Sequence, residues 1–337
     1  MEAKFYTLLD DKIIVCNLCP HHCKIASGKR GICDVRYNSD GLLITENYGK
    51  VSSINIDPIE KKPLYHFFPG SVILSVGSVG CNLECEFCQN WEISQNGVYN
   101  FPYLKNYSID EITNYALSNK NNIGVAYTYN EPTVWFEYML DIAVKINESK
   151  LKNVIVTNGY INEEPLNILI NYIDAFSIDL KAFTEEFYKK ITHSELKPVK
   201  DTLKLISKNN KHIEITNLIV TGLNDDETAF EEMCKWIKNE LGENTVLHLS
   251  RYFPHYKCSK PGTPLKTLTK LFDIASGHLN YVYLGNVMSD SGSNTYCDKC
   301  RKILISRQGY QTEIIGLENS GKCKFCGNKI MPDFNLS

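Results

Sequence analysis

Cysteine dominates the chemistry available to this sequence: the chain of 337 residues has thirteen, and most of them fall in three clusters. The central cluster has the spacing C-x3-C-x2-C at Cys81, Cys85 and Cys88. Three thiolates can bind three irons of a 4Fe-4S cubane and leave the fourth iron without a protein ligand. Because an open iron can bind a chelating molecule, this spacing favours a catalytic cluster over an electron carrier. The alternative is a zinc site that one distant histidine, His66 or His248, completes.

A second cluster, near the end of the chain, has the spacing C-x2-C-x22-C-x2-C. Two such pairs typically close on one tetrahedral ion, as in a zinc ribbon or a rubredoxin-like fold. Zinc and iron both accept four thiolates, and we expect structural zinc. The four ligands would be Cys297, Cys300, Cys323 and Cys326.

The third cluster lies near the beginning of the chain and has the spacing C-x2-C-x3-C-x9-C. Its members are Cys16, Cys19, Cys23 and Cys33. This spacing predicts a metal without identifying it. Zinc, an auxiliary iron-sulfur cluster and reduced buried cysteines remain alternatives.

Composition and charge disfavour several classes of partner. The chain has 36 basic and 39 acidic side chains and a formal charge of -3, so no overall field favours nucleic acid or an anionic membrane. The N-terminus lacks the cationic start and apolar run of a secretory signal. The longest mostly apolar segment, 71–80, is about half as long as a membrane-spanning helix. We therefore expect a cytoplasmic protein, whose thiols stay reduced and available to metals.

Residues 70 to 290 alternate short β-branched runs with longer amphipathic stretches, a rhythm typical of β/α units. Strands are predicted at 72–76, 123–127, 153–157, 175–180, 213–220, 245–249 and 281–284. Six or seven parallel strands predict an α/β fold with a partial (β/α)6-type barrel. The central cluster directly follows the first strand, at the end where such folds place their chemistry. We divide the chain into a cysteine-rich N-terminal extension (1–69), the barrel (70–290) and a four-cysteine tail (291–337).

The cysteine loop after a first strand resembles the radical S-adenosylmethionine (SAM) superfamily. The strings DPIEKKPLYHF at 57–67 and CQNWEIS at 88–94 resemble the AmmeMemoRadiSam-system enzymes, relatives of pyruvate formate-lyase activating enzyme. The resemblance implies a 4Fe-4S cluster that cleaves SAM to methionine and a 5'-deoxyadenosyl radical. That radical would abstract hydrogen from an unidentified protein, peptide or small molecule, with an electron donor such as flavodoxin or ferredoxin. Two alternatives are activation of a glycyl-radical enzyme and a non-catalytic electron carrier or zinc-stabilised binding module.

The same resemblance places SAM contacts at the ends of several strands. The segment YTYNEP at 127–132 is similar to a Gly-Gly-Glu-Pro segment that meets the amino group of SAM, here with Asn130 and Glu131, although Tyr129 and Asn130 replace the two glycines. Further implied cofactor contacts are Phe87, Thr157, Asn158, Asp179, Lys181, His193, His248 and Arg251. An ordinary ion pair is the alternative for Asp179 and Lys181. A core role is the alternative for His248, and an exposed position at a helix end is the alternative for His193.

Overall fold

The computed structural model describes residues 1–287 and 292–334, and its centre is one eight-stranded sheet. The strands are β1 (Ser53–Pro58), β2 (Val72–Gly77), β3 (Asn122–Tyr127), β4 (Lys152–Thr157), β5 (Ala175–Asp179), β6 (His212–Ile219), β7 (Val246–Arg251) and β8 (Val282–Gly285). Each strand pairs with its neighbours in sequence, so the order across the sheet is β8 to β1. Strands β2 to β8 are parallel, which confirms the α/β fold with a partial parallel barrel.

Strand β1 is antiparallel to β2 and was not predicted from the sequence. It precedes residue 70, so the sheet begins within the segment that we assigned to the N-terminal extension. The division into an N-terminal extension, a barrel and a tail remains a prediction.

Within the sheet, Gly124 lets two strands approach closely, because a Cβ atom there would lie 1.8 Å from the carbonyl oxygen of Lys152.

Six helices cover the outer face of the sheet between strands. They are α1 (Ile109–Ser118), α2 (Phe136–Glu148), α3 (Glu163–Ile170), α4 (Leu196–Lys208), α5 (Glu227–Leu241) and α6 (Leu265–Ser276). Helix α1 begins with the capping box that its sequence predicts, in which Ser108 and Glu111 satisfy each other's backbone N–H groups. No helix in the described ranges is both long and apolar enough to cross a bilayer.

The N-terminal segment packs against the barrel and shares its core. Three short strands, Tyr6–Leu8, Ile14–Cys16 and Lys24–Ile25, form one antiparallel sheet, and Arg36–Ser39 pairs with Leu42–Thr45. The ring of Phe5 meets Phe136 of α2 edge to face, with ring centroids 5.1 Å apart.

The tail forms a three-stranded antiparallel sheet of β9 (Thr295–Tyr296), β10 (Ile303–Gln308) and β11 (Gln311–Ile314). Its buried residues share a second hydrophobic cluster with the barrel residues Val246 and Tyr283. The tail is therefore packed onto the barrel through apolar contacts.

Candidate active site

An open cavity of about 260 Å³ lies where the carboxyl ends of the parallel strands meet. Loops after β2, β3, β4 and β5 supply most of its walls, because parallel strands bring their carboxyl ends to one edge of the sheet. The cavity brings together the predicted residues Cys81, Cys85, Phe87, Cys88, Asn130, Glu131, Thr157, Asn158, Asp179 and Lys181.

The three central cysteines all line this cavity. The backbone N–H of Leu83 donates a hydrogen bond to Cys81 Sγ at 3.4 Å, and the side-chain amide of Asn158 lies 3.8 Å from the same sulfur. Such N–H donors to sulfur are typical of iron-sulfur sites. The loop therefore presents its sulfurs to an open space and already supplies hydrogen bonds to one of them.

Burial raises the pKa of all three thiols, and that of Cys85 to about 12. The positive charge of Lys181 opposes this rise at Cys85 and Cys88. A buried thiol binds metal only after it loses its proton, so metal must displace three protons here. Lys181 offsets part of the negative charge that the resulting thiolates would bring into the cavity.

The alternative, a zinc site completed by a histidine, is disfavoured because the candidate histidines lie away from the three cysteines. Neither His66 nor His248 lines the cavity. His66 Nε2 lies 2.6 Å from the hydroxyl of Tyr283, and His248 Nε2 lies 2.6 Å from Glu214 Oε2. Both histidines are buried in a separate polar network of the barrel, away from the three thiols.

Asn130 holds the cysteine loop in place. Its Oδ1 accepts a hydrogen bond from the backbone N–H of Ser78 at 2.9 Å, and its Nδ2 donates to the carbonyl of Gly80 at 2.9 Å. Tyr129, where the related segment has glycine, has φ of +73°, a backbone conformation that favours glycine. The chain thus keeps the glycine-like turn without the glycine.

Glu131 is buried beside this turn and accepts three hydrogen bonds. They come from the backbone N–H of Thr133 at 2.9 Å, the hydroxyl of Thr157 at 2.7 Å and the backbone N–H of Asn158 at 2.8 Å. Burial raises the pKa of Glu131, and these donors oppose the rise. The contacts fix its carboxylate in the cavity wall, where it can meet a ligand cation.

Asp179 and Lys181 form an ion pair in the cavity wall, with Lys181 Nζ 2.7 Å from Asp179 Oδ2. Asp179 is the last residue of β5 and Lys181 follows two residues later, so their side chains lie on the same side of the chain, as the sequence predicts. Because the pair lines the cavity, it is available to a ligand and is not only a surface ion pair.

Three predicted SAM contacts do not line the cavity. His193 is exposed, with φ of +54°, at the end of a short π-helical turn. Arg251 donates from Nε to the carbonyl of Thr263 at 2.8 Å and lies against the ring of Phe253. His248 shares a strand face with Ser250, which lines the cavity, but it lies one pleat earlier, beside Glu214. The sequence pattern predicts on which face of a strand a side chain lies, but not whether that side chain is close enough to the end of the strand to reach the cavity.

The cavity also includes residues that sequence reasoning missed: Thr216, Leu218, Ser250 and Asn286. Thr216 is buried and its hydroxyl has no hydrogen-bond partner, which a bound ligand could supply. Thr216 lies in the middle of β6, whose sequence HIEITNLI contains several polar residues, so no sequence signal distinguishes it.

The four tail cysteines form a separate candidate metal site. Their Sγ atoms lie within 4.8 Å of one another, with Cys297 3.6 Å from Cys326 and Cys300 3.7 Å from Cys323. These separations match a tetrahedron of thiolates around one ion with metal–sulfur bonds of about 2.3 Å. The predicted four-cysteine site is therefore present, and the structure leaves its metal open between zinc and iron.

A partial parallel barrel with three cysteines in an open carboxyl-end cavity defines a class of enzyme that works with an iron-sulfur cluster. A family model described as the radical SAM superfamily matches residues 75–237. An uncharacterized protein of Methanocaldococcus jannaschii is 44% identical over 332 residues, which are 98% of this chain and 98% of that protein. The chain belongs to the radical SAM superfamily and is an enzyme of that class. This membership confirms the resemblance and disfavours a non-catalytic carrier.

Other matches place the chain near enzymes with named activities. The 4-hydroxyphenylacetate decarboxylase activating enzyme of Clostridioides difficile is 24% identical over 221 residues, 63% of this chain and 69% of that enzyme. Streptococcus suis SuiB bound to S-adenosylmethionine superposes with a TM-score of 0.51 at 17% identity, over 68% of this chain and 53% of that one. At this identity the structural likeness supports the fold alone.

Proposed function

We propose that this protein holds a 4Fe-4S cluster on Cys81, Cys85 and Cys88 and uses it to cleave SAM reductively. The observation that supports this most directly is the shared cavity of the three thiols with Glu131 and the Asp179–Lys181 pair. When bound and reduced, the cluster supplies the electron that splits SAM into methionine and a 5'-deoxyadenosyl radical. A carrier such as flavodoxin or ferredoxin would provide that electron in the cell.

The chain's own residues bind and orient the cofactor. Glu131, fixed by three donors, is suited to accept charge-assisted hydrogen bonds from the ammonium of SAM. Lys181 offsets the charge of the thiolates, and Thr216 offers a buried hydroxyl without a partner. Asn130 positions the cysteine loop rather than the ligand, since both its polar side-chain atoms are bonded to that loop.

The hydrogen donor is a protein, a peptide or a small molecule. Among these, activation of a glycyl-radical enzyme is a specific second candidate, because several relatives are named as activating enzymes of 4-hydroxyphenylacetate decarboxylase. In that case the radical would abstract a hydrogen from a backbone glycine of a partner protein.

SAM cleavage can be measured directly. The protein is purified without oxygen, reconstituted with iron and sulfide, reduced with dithionite and given SAM, and 5'-deoxyadenosine and methionine are quantified. We expect both products from the wild type and from Cys234→Ala, which removes a buried helical cysteine outside the clusters. Cys88→Ala should form neither product. Absence of both products from a wild-type protein with a full cluster and bound SAM would contradict the proposal.

The activase candidate needs a protein substrate. The decarboxylase served by the related activating enzymes is the practical probe, and a glycyl radical on it is detected by electron paramagnetic resonance. A radical that depends on Cys88 would support activation of a glycyl-radical enzyme. SAM cleavage without a radical on this probe would argue against that target and leave the proposed SAM chemistry intact.

A further inference from the structure

The cysteines near the N-terminus, Cys16, Cys19, Cys23 and Cys33, are here called the head cysteines. All four line one small cavity, which is separate from the active-site cavity and is walled by apolar side chains such as Leu18, Ile25 and Val134. None of the four forms a disulfide. Four free thiols that line one small cavity form a candidate binding site rather than a scattered set of core cysteines.

The head cysteines are arranged differently from the tail cysteines. The tail cysteines show the geometry that one ion requires, with sulfur pairs 3.6 Å and 3.7 Å apart. The head sulfurs do not form such a compact group in the part of the chain that the structure describes. A cluster that binds each thiolate through a separate iron spaces its thiolates more widely than a single ion does, and a more open set of four sulfurs fits it.

Arg36 adds an independent observation that points to an anionic ligand. Its side chain is only 1% exposed and lines the same cavity. Nη2 pairs with Glu137 Oε1 at 2.5 Å and Nη1 donates to the carbonyl of Lys4 at 2.9 Å, but Nε has no acceptor. A buried N–H donor without a partner costs free energy. Thiolate or sulfide in the cavity would provide that acceptor.

The backbone also points donors at the head sulfurs. Backbone N–H groups at His21, Ile32 and Val35 donate hydrogen bonds toward the sulfurs of Cys19, Cys23 and Cys33 respectively. N–H donors to sulfur are typical of iron-sulfur sites. The segments that follow Cys19, Cys23 and Cys33 thus direct backbone donors at the head sulfurs.

We propose that the head cysteines bind a second iron-sulfur cluster, with all four thiolates as ligands and no iron left open to SAM. Its site lies behind the active-site loop. His21 Nε2 is 2.6 Å from the carbonyl oxygen of Asn82, which follows Cys81, and Asn82 also lines the head cavity. Asn82 Oδ1 in turn accepts from Asn158, whose amide lies 3.8 Å from Cys81 Sγ. Hydrogen bonds through Asn82 and Asn158 thus connect the head cavity to the central cysteines.

The test uses the full chain with the central site removed. Cys81→Ala/Cys85→Ala/Cys88→Ala is reconstituted without oxygen with ferrous iron and sulfide, and bound iron and acid-labile sulfide are counted. We expect about four of each per chain, as in a cubane cluster, and a paramagnetic signal after reduction. Adding Cys19→Ser/Cys33→Ser, which leaves only two head thiolates, should abolish both, whereas adding Cys234→Ala, which alters a buried cysteine outside the clusters, should leave them unchanged.

Because this experiment removes the proposed SAM cluster, its result does not depend on SAM cleavage. The variant that keeps all four head cysteines still tests the proposal if Cys19→Ser/Cys33→Ser fails to fold. In it, reconstitution should protect the head cysteines from alkylation. Zinc without sulfide at this site, or four head thiols that stay open to alkylation after reconstitution, would overturn the proposal.

Discussion

Asp57 shows at the scale of single residues how a carboxylate supports the site from outside the cavity. It accepts hydrogen bonds from Lys61 at 2.8 Å, from Lys62 at 2.7 Å and from the hydroxyl of Tyr129 at 2.7 Å. Burial opposes ionisation of Asp57, but these three donors hold its pKa well below the usual range. Since Tyr129 precedes Asn130 and Glu131, the network fixes the turn that positions both.

We predict that Asp57→Asn destabilises the fold by about 3 to 5 kcal/mol at neutral pH, because it leaves the Lys62 ammonium, 2% exposed, without its buried counter-charge. The free energy of urea unfolding measures this loss. Asp40→Asn, which breaks an exposed lysine pair, should change it little. Because the pKa of Asp57 is lower in the folded than in the unfolded protein, its ionised carboxylate stabilises the fold at pH values above the ordinary aspartate pKa of about 3.9. This stabilisation is lost as the pH falls below that value toward the folded-state pKa. The wild type and Asp57→Asn should therefore converge in stability in acid. Equal stability at pH 7 would contradict this account.

Glu131 is the residue whose charge we expect SAM affinity to depend on. We predict that Glu131→Gln weakens SAM binding by roughly ten- to a hundredfold, because a hydrogen bond to a charged group contributes about 1.5 to 3 kcal/mol. Equilibrium dialysis of the reconstituted protein measures the Kd. Asp174 lies directly before β5, at the amino ends of the parallel strands and therefore away from the cavity. Asp174→Asn is the control and should bind SAM normally. Unchanged affinity of Glu131→Gln at full iron content would exclude this role.

At the scale of elements, the sequence predicts the seven parallel strands within about two residues. Their apolar β-branched runs are buried on both faces and leave a strong signal, as in β3, where all six residues are buried. Strand β1 was missed because it ends in Pro58 and exposes Asn55 and Ile56. The sequence predicted cavity-lining residues best where a residue directly follows a strand, as Asn158 follows β4. It predicted them worst within strands: Thr216 and His248 are paired in the sheet, and only Thr216 lines the cavity.

The tail sheet offers a prediction about an element and its metal. We expect about one zinc ion per chain at the tail cysteines and no acid-labile sulfide there. Cys300→Ser/Cys326→Ser should lose this ion, and the backbone amides of β10 should then exchange hydrogen faster, because the ion joins the two ends of the sheet. Elemental analysis and hydrogen exchange measure both effects. Cys258→Ser, at a buried cysteine outside the clusters, is the control, and iron in place of zinc would show that the metal assignment is wrong.

At the scale of the whole molecule, Arg307 of β10 joins the tail to the barrel. It donates from Nη2 to the carbonyl of Tyr65 at 2.8 Å, and its guanidinium lies 4.2 Å from the ring centroid of Tyr65. Its Nε lies 4.0 Å from the buried carboxylate of Glu60, which also accepts from Thr312. The segment after β1 is thus held between tail and barrel, and Glu214 of β6 holds the same segment by accepting from the backbone N–H groups of Tyr65 and His66.

Arg307 is buried and faces Glu60. Its removal should therefore weaken the contact between the tail and the barrel more than it weakens the tail or the barrel itself. We predict that Arg307→Ala increases hydrogen exchange in β9 to β11 while β3 to β6 keep their protection, at a cost of about 3 to 5 kcal/mol. Hydrogen exchange followed by mass spectrometry distinguishes this local opening from a uniform loss of stability. Arg301→Ala, which removes an exposed arginine of the same tail, should leave the exchange pattern unchanged. If Arg307→Ala instead accelerated exchange equally in tail and barrel, the two would unfold as one cooperative unit and Arg307 would stabilise the whole fold rather than the junction.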